Sequence, residues 1–261
     1  MKNDIFFKKR IGTLLFLLII AAATLASMVI TGYDAKKGIT CIPKAIKWSL
    51  SSFYPNAKSL TKLPKILNNL KETLFLSISS TMVASAFALL LALFGSNTTK
   101  INNVLSALAR GTALVFRNIP IVAWAMVLLF SFGQSSLTGF FALFFMTFGF
   151  LTRAFIETID EASKASVEAL RATGANYFQI VFQSVIPSSM PQMISWMLYM
   201  IETNIRSSTL IGILTGTGIG FSFSLYYKTF NYNTASLVVL VIVITVLIIE
   251  LISNYVRRVI L

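Results

Sequence analysis

The sequence predicts an all-α membrane protein, a bundle of about six transmembrane helices, and three observations predict it. First, 56% of the 261 residues are hydrophobic and only 12% are charged, against roughly a quarter charged in an ordinary soluble domain. Second, the apolar residues gather into runs of about 20, the length that crosses roughly 30 Å of hydrocarbon. Third, there is one cysteine, Cys41, and no histidine, which removes disulfides, zinc sites and histidine acid–base work. The net charge of +13 does not point to nucleic acid. The basic residues flank apolar spans and form no aromatic-interleaved patch, so the lipid membrane is the expected partner.

The first element follows a basic start, with Lys2, Lys8, Lys9 and Arg10 ahead of an uncharged run from Ile11 to Ile30. That run exceeds the roughly 7 to 15 residues of a cleaved signal core, so residues 1–31 are read as a retained helix with a cytoplasmic N-terminus. Residues 32–71 read as a linker with eight lysines and one acid, Asp34, broken by Pro43, Pro55 and Pro64. Within it Lys58, Lys62 and Lys65 share one helical face, while Leu63, Ile66, Leu67 and Leu70 gather toward another. This is the pattern of an amphipathic segment on the membrane surface. A basic surface that collects an anionic solute or docks its carrier is the alternative, and nothing in the spacing demands it.

The remaining spans form a core over residues 72–256. The second, from Glu72 to Phe94, carries Ser77, Ser79, Ser80, Thr81, Ala84, Ser85, Ala86 and Ala88. Small residues let helices approach closely in a bilayer, which places this helix at the centre of the bundle. After Gly95-Ser96-Asn97 comes an amphipathic helix, Ile101 to Phe116, with Arg110. The charged break Arg117-Asn118-Ile119-Pro120 then leads into the apolar run Ile121 to Phe132. The fourth span covers Leu137 to Thr152. The fifth starts near Pro191, contains Glu202, Asn204 and Arg206, and ends in Gly212, Gly216, Gly218 and Gly220. Those glycines read as a flexible re-entrant turn or gate at the outer face, since no strand precedes them and no Lys-Ser/Thr pair follows as a phosphate-cradling loop requires. The last span, Thr234 to Ile252, is capped by Arg257 and Arg258.

Between the fourth and fifth spans lies the one extended segment rich in both charge signs, residues 157–187. Its middle, Glu168-Ala169-Leu170-Arg171-Ala172-Thr173-Gly174, reads as a short helix ended by a glycine turn, followed by a second helical piece stopping at Pro187. A polar helix pair at the edge of a membrane bundle suits a grip by a soluble partner, and nothing in it is catalytic. With the N-terminus inside, 12 lysines and arginines fall on the inner side and nine on the outer, a slight bias toward that orientation which does not by itself place this segment in the cytoplasm.

Glu168-Ala169-Leu170, three residues, Gly174, nine residues, then Ser184-Val185-Ile186-Pro187 resembles the EAA loop of ABC importer permeases, the binding-protein-dependent inner membrane components. The spacing matches throughout; Leu170, Ser184 and Ile186 depart from the commonest residues. Arg117-Asn118-Ile119-Pro120, Val167 to Ala175 and Glu202 to Gly212 resemble the phosphonate-import branch, over roughly residues 71–258. The resemblance implies a type I importer bundle in a bacterial inner or plasma membrane, with both termini cytoplasmic. It implies a coupling helix in which Glu168, Ala169, Leu170, Gly174, Ala175 and Pro187 meet an ABC ATPase. Further implied partners are an extracytoplasmic substrate-binding protein and a second copy of the chain. No cofactor is expected in this chain; ATP and Mg belong to the partner ATPase.

Glu202 sits about 17 Å along a helix starting at Pro191, with Arg206 one turn further. Charges at that depth must pair or face water. One role is an internal i,i+4 ion pair that braces the bundle. The other has Arg206 presenting its fork to an oxyanion in the pore, with Glu202 holding it and Asn204 beside it. Arg117 divides the same way: a snorkelling interfacial arginine, or a pathway residue. Two other classes are weighed. A secondary transporter needs inverted repeats, and the Glu168 segment has no second copy in the other half. A membrane enzyme needs a reactive cluster, for which Glu202 is the lone candidate.

Overall fold

The computed structural model describes the backbone of residues 2–260 and the side chains of residues 8–259. Every regular element among them is helical. The chain divides into two compact units, Met1–Phe53 and Tyr54–Leu261. The smaller holds α1 (Lys2–Thr31) and α2 (Ala35–Ser52). Asp34 caps α2 by accepting from the Lys37 amide at 3.0 Å. The stretch expected to be a broken linker is therefore partly a regular helix, with Pro43 inside it and no residue buried.

The larger unit runs through α3 (Ala57–Leu60), α4 (Leu63–Gly95), α5 (Asn103–Asn118), α6 (Ile121–Phe132), α7 (Ser136–Ala162), α8 (Lys164–Ala172), α9 (Tyr177–Ile180), a π-helical turn (Val181–Val185), α10 (Ile186–Thr215), α11 (Gly218–Lys228) and α12 (Tyr232–Ile260). Among the described residues four helices are long and apolar enough to cross a membrane, and two bent pairs, α5–α6 at 90° and α9–α10 with α11 at 55°, give up to six spans if each pair is one broken span. The protein is a multi-pass membrane protein.

Three boundaries differ from the sequence expectation. α4 begins at Leu63 rather than near residue 72, because Pro64 falls in the first turn, where its missing N–H has no helical partner to lose. Leu63 to Leu70 are thus the opening turns of a 33-residue helix, with Ile66 fully buried. α7 continues to Ala162, so the first residues of the polar segment finish a membrane helix. Nor does the chain stop at Pro187. The π-helical turn leads straight into α10, which passes through both Pro187 and Pro191. The hydroxyls of Ser188 and Ser189 donate back to the Ser184 and Val185 carbonyls one turn earlier.

α7 is the hub, packing against α4, α5, α6 and α10. α4 offers it a stripe of small residues, with Ser77, Ser80, Thr81, Ala84, Ser85, Ala88, Ala92 and Gly95 all buried. The core at one end unites Ala88 and Ala92 of α4 with Leu151, Phe155, Ile156 and Ile159 of α7, Val167 of α8, Val185, and Met193 and Met200 of α10. The α5–α6 bend follows from Pro120, which holds Ile119 extended (φ −83°, ψ 121°). Phe116 and Trp124 stack across it, centroids 5.3 Å apart. Gly149 lets α7 touch the α5 backbone, since a Cβ there would strike Phe116 and the Arg117 amide.

At the other end Glu72 gathers two elements: it accepts from Ser136 Oγ at 2.6 Å and from the Gly218 amide at 3.2 Å. Thr73 Oγ1 accepts from the Ile219 amide at 2.8 Å, so α4 caps α11, whose own Thr217 makes no cap bond. Gly216 and Gly218 have φ of +71° and +61°, and Gly212 and Gly220 abut so closely that a Cβ on either would meet backbone. The glycines make a close-packed, capped turn.

Candidate functional site

Two arrangements stand out, a turn at one edge of the bundle and a polar axis inside it. The first is the turn after α7. α8 ends in a complete Schellman motif: the Ala175 amide donates to the Leu170 carbonyl at 3.1 Å and the Gly174 amide to the Arg171 carbonyl at 3.1 Å. Gly174 has φ +81°, the left-handed conformation the motif requires. Val167 is buried, with Leu170 and Ala175 packed beside it on the core. Glu168 and Ala169 are exposed on the opposite side. Ser184, the departure noted in the sequence, is buried and donates to Ser166 Oγ at 2.7 Å, tying the π-helical turn to α8. The sequence-predicted residues Glu168, Ala169, Leu170, Gly174 and Ala175 thus form one unit. Pro187 lies beyond it in the first turn of α10.

Sequence reading missed the residue that fastens this unit to the bundle. Asp160, in the last turn of α7, accepts from Ser96 Oγ at 2.6 Å, Asn97 Nδ2 at 3.3 Å, and the Thr98 amide and hydroxyl at 3.1 Å each. It also pairs with Arg110 of α5 at 3.6 Å. Arg171 of α8 donates to the Thr98 carbonyl at 2.7 Å. The loop between α4 and α5 is therefore clamped from both sides of the turn.

The second arrangement is the polar axis on α10. Glu202 is buried, at 9% exposure, and its carboxylate meets Arg206 Nη1 at 2.8 Å and Arg257 Nη2 of α12 at 3.7 Å. The i,i+4 pair expected from the sequence is formed, and Arg257 joins it. The Arg206 side chain remains 47% exposed, so its outer half is available to a neighbour. Asn204, expected among the pathway residues, is fully buried, and its amide donates to Thr81 Oγ1 of α4 at 2.9 Å and Thr147 Oγ1 of α7 at 2.8 Å, while its Oδ1 has no partner among the described residues. It ties three helices together. Elsewhere along the same α4–α10 contact Ser77 donates to Ser208 at 3.3 Å. Arg117 is not part of this axis; it lines a separate cavity of about 200 Å³ with Arg110 and Arg153.

The family model described as binding-protein-dependent transport system inner membrane component matches residues 84–260. The chain belongs to that family. This permease is 27% identical over 186 residues to the phosphate-import permease protein PhnE of Mycolicibacterium smegmatis, covering 71% of this chain and 35% of that protein. It is 29% identical over 187 residues to the phosphite transport system permease protein PtxC of Stutzerimonas stutzeri, covering 72% and 68%. It is 32% identical over 117 residues to the putative cryptic phosphonate transport system permease protein PhnE2 of Escherichia coli strain K12, covering 45% and 96%. The permease spans about a third of the mycobacterial relative's length. Its fold is that of the inward-facing MetNI methionine ABC transporter (TM-score 0.67, 21% identity, 75% of this chain and 96% of that one). It is equally that of a bacterial ABC transporter involved in alginate import (TM-score 0.65, 15% identity, 92% and 95%). The permease is thus a transport subunit with an ABC importer bundle.

Proposed function

We propose that this permease is the membrane-spanning subunit of an ATP-driven importer for a phosphonate or a related phosphorus oxyanion or organophosphate. The observation that carries the proposal is the α8 turn: its apolar side is sealed into the core while Glu168 and Ala169 are held outward on a fixed, glycine-ended helix. Such a knob fits the groove of a soluble ATPase. Two permease copies, two ATPases binding ATP and Mg, and an extracytoplasmic substrate-binding protein complete the machine. The chain itself conducts and does no bond chemistry. The α8 turn and both termini face the cytoplasm, and closure of the ATPases moves the two turns as rigid bodies.

The named relatives handle phosphate, phosphite and phosphonate, which supports a phosphorus oxyanion as solute; another solute of the same transport class is the alternative. On α10 the cluster of Arg206, Glu202 and Arg257 carries two cations against one carboxylate. The exposed half of Arg206 supplies a charged fork that an oxyanion can meet and leave, with Glu202 holding it. Arg206→Ala is expected to abolish phosphonate uptake into reconstituted vesicles while the complex assembles normally. Undiminished uptake would leave Arg206 as a brace alone.

A further inference from the structure

The cavity beside Arg117 has no place in the coupling turn or the polar axis. It lies between α5 and α7, about 200 Å³ in volume, and is lined by Arg110, Gly111, Ala113, Leu114, Arg117 and Arg153. On α5 the positions 110, 113, 114 and 117 fall on one helical face, and Arg153 enters from α7. Three arginines therefore surround one small space, which Gly111 and Ala113 leave open; a Cβ added at Gly111 would meet nothing within 4 Å.

The charges do not balance. Arg110 pairs with Asp160 and Arg153 with Glu157, whereas Arg117 has no acidic partner among the described residues. Arg117 is exposed at the cavity, with its backbone amide against Gly149 of α7. A guanidinium with no carboxylate beside it keeps its donors for an anion or water. Arginine forks match the oxygens of a phosphate group two at a time.

We propose that this α5–α7 cavity binds a phosphate-type oxyanion, with Arg117 as the principal contact, Arg153 as the second, and Arg110 setting the cavity's inner wall. Two sources carry that chemistry: the solute in passage, or the headgroup phosphate of an anionic lipid. In the first case the site extends the pathway reading and rests on it; in the second it is independent of transport.

The test uses the full chain in nanodiscs without ATPase, so its outcome is separable from that of the importer reading. In phosphatidylcholine discs, equilibrium binding of inorganic phosphate and of methylphosphonate reads the solute arm. In discs containing phosphatidylglycerol, native mass spectrometry of retained lipid reads the lipid arm. Binding in one arm is expected, weakened about tenfold or more by Arg117→Gln and by Arg153→Gln, as loss of a charge-assisted contact implies. Gly111→Leu, which fills the cavity without changing charge, is expected to weaken it as well. No binding in either arm, or binding that Arg206→Gln removes while Arg117→Gln and Gly111→Leu leave it unchanged, would overturn the site. Equal binding by all variants would mean an adventitious ion only.

Discussion

At the scale of residues, one of the most deeply buried polar side chains of the core has a structural role that its position in the sequence concealed. Asn204 stands between two charges and reads with them as part of a pathway. Helical geometry points it elsewhere: two positions from Glu202 and from Arg206, it turns away from both, into the α4–α7 contact. Which of three adjacent polar residues faces inward depends on where α4 and α7 lie, and no local signal carries that. The Glu202–Arg206 pair was legible because its i,i+4 spacing is local; Arg257, 55 positions away on α12 by the numbering, was not. Asn204→Leu should lower stability by about 1–2 kcal/mol, at the upper end for interhelical hydrogen bonds in membrane proteins. Unfolding in mixed micelles measures it, and Thr81→Val combined with Asn204→Leu should cost less than the two changes summed, since they share one bond.

At the scale of elements, the glycine-ended α8 was legible for the reason that makes it stable: a Schellman turn is written in a few consecutive residues, with Gly174 at the left-handed position and apolar Leu170 and Ala175 closing it. Pro187 misled because a proline reads as a stop. Here Pro187 sits in the first turn of α10, directly after the π-helical turn, where an N–H is least needed, and the chain continues unbroken into the bundle. The Asp160 clamp was invisible because its partners at Ser96 and Thr98 lie 62 to 64 residues away. From the last turn of α7 it ties the entry to α8 to the α4–α5 loop, and we expect a push on α8 to reach α4 and α5 through this contact. In the assembled importer Asp160→Ala should leave ATP hydrolysis running while uptake per ATP falls, by a factor of roughly 5 to 150 if the clamp carries a typical coupling free energy. Parallel measurement of hydrolysis and uptake in proteoliposomes checks this; equal loss of both would assign the clamp to assembly.

At the scale of the whole molecule, six spans were legible because bilayer thickness sets helix length and no soluble alternative buries so much apolar sequence. The bounds of α4 and α7 were less so, since both helices run past the apolar zone and polar residues there look like linker. Lysine and arginine counts leave the orientation weakly determined, and the eight lysines of residues 32–71 oppose the usual bias. The exposed Cys41 on α2 settles it by labelling. In intact spheroplasts a membrane-impermeant maleimide should modify Cys41 from outside, whereas in the Cys41→Ser background Ala165→Cys on α8 should react only after the membrane is opened. The proposed importer function depends on α8 being where an ATPase grips. Gentle solubilisation and affinity purification of the permease should recover an ABC ATPase in equal number, and the exposed substitutions Glu168→Lys with Ala169→Arg should remove it without unfolding the permease. Recovery of no ATPase with the unmodified chain, or the same recovery with the substituted one, would contradict that grip.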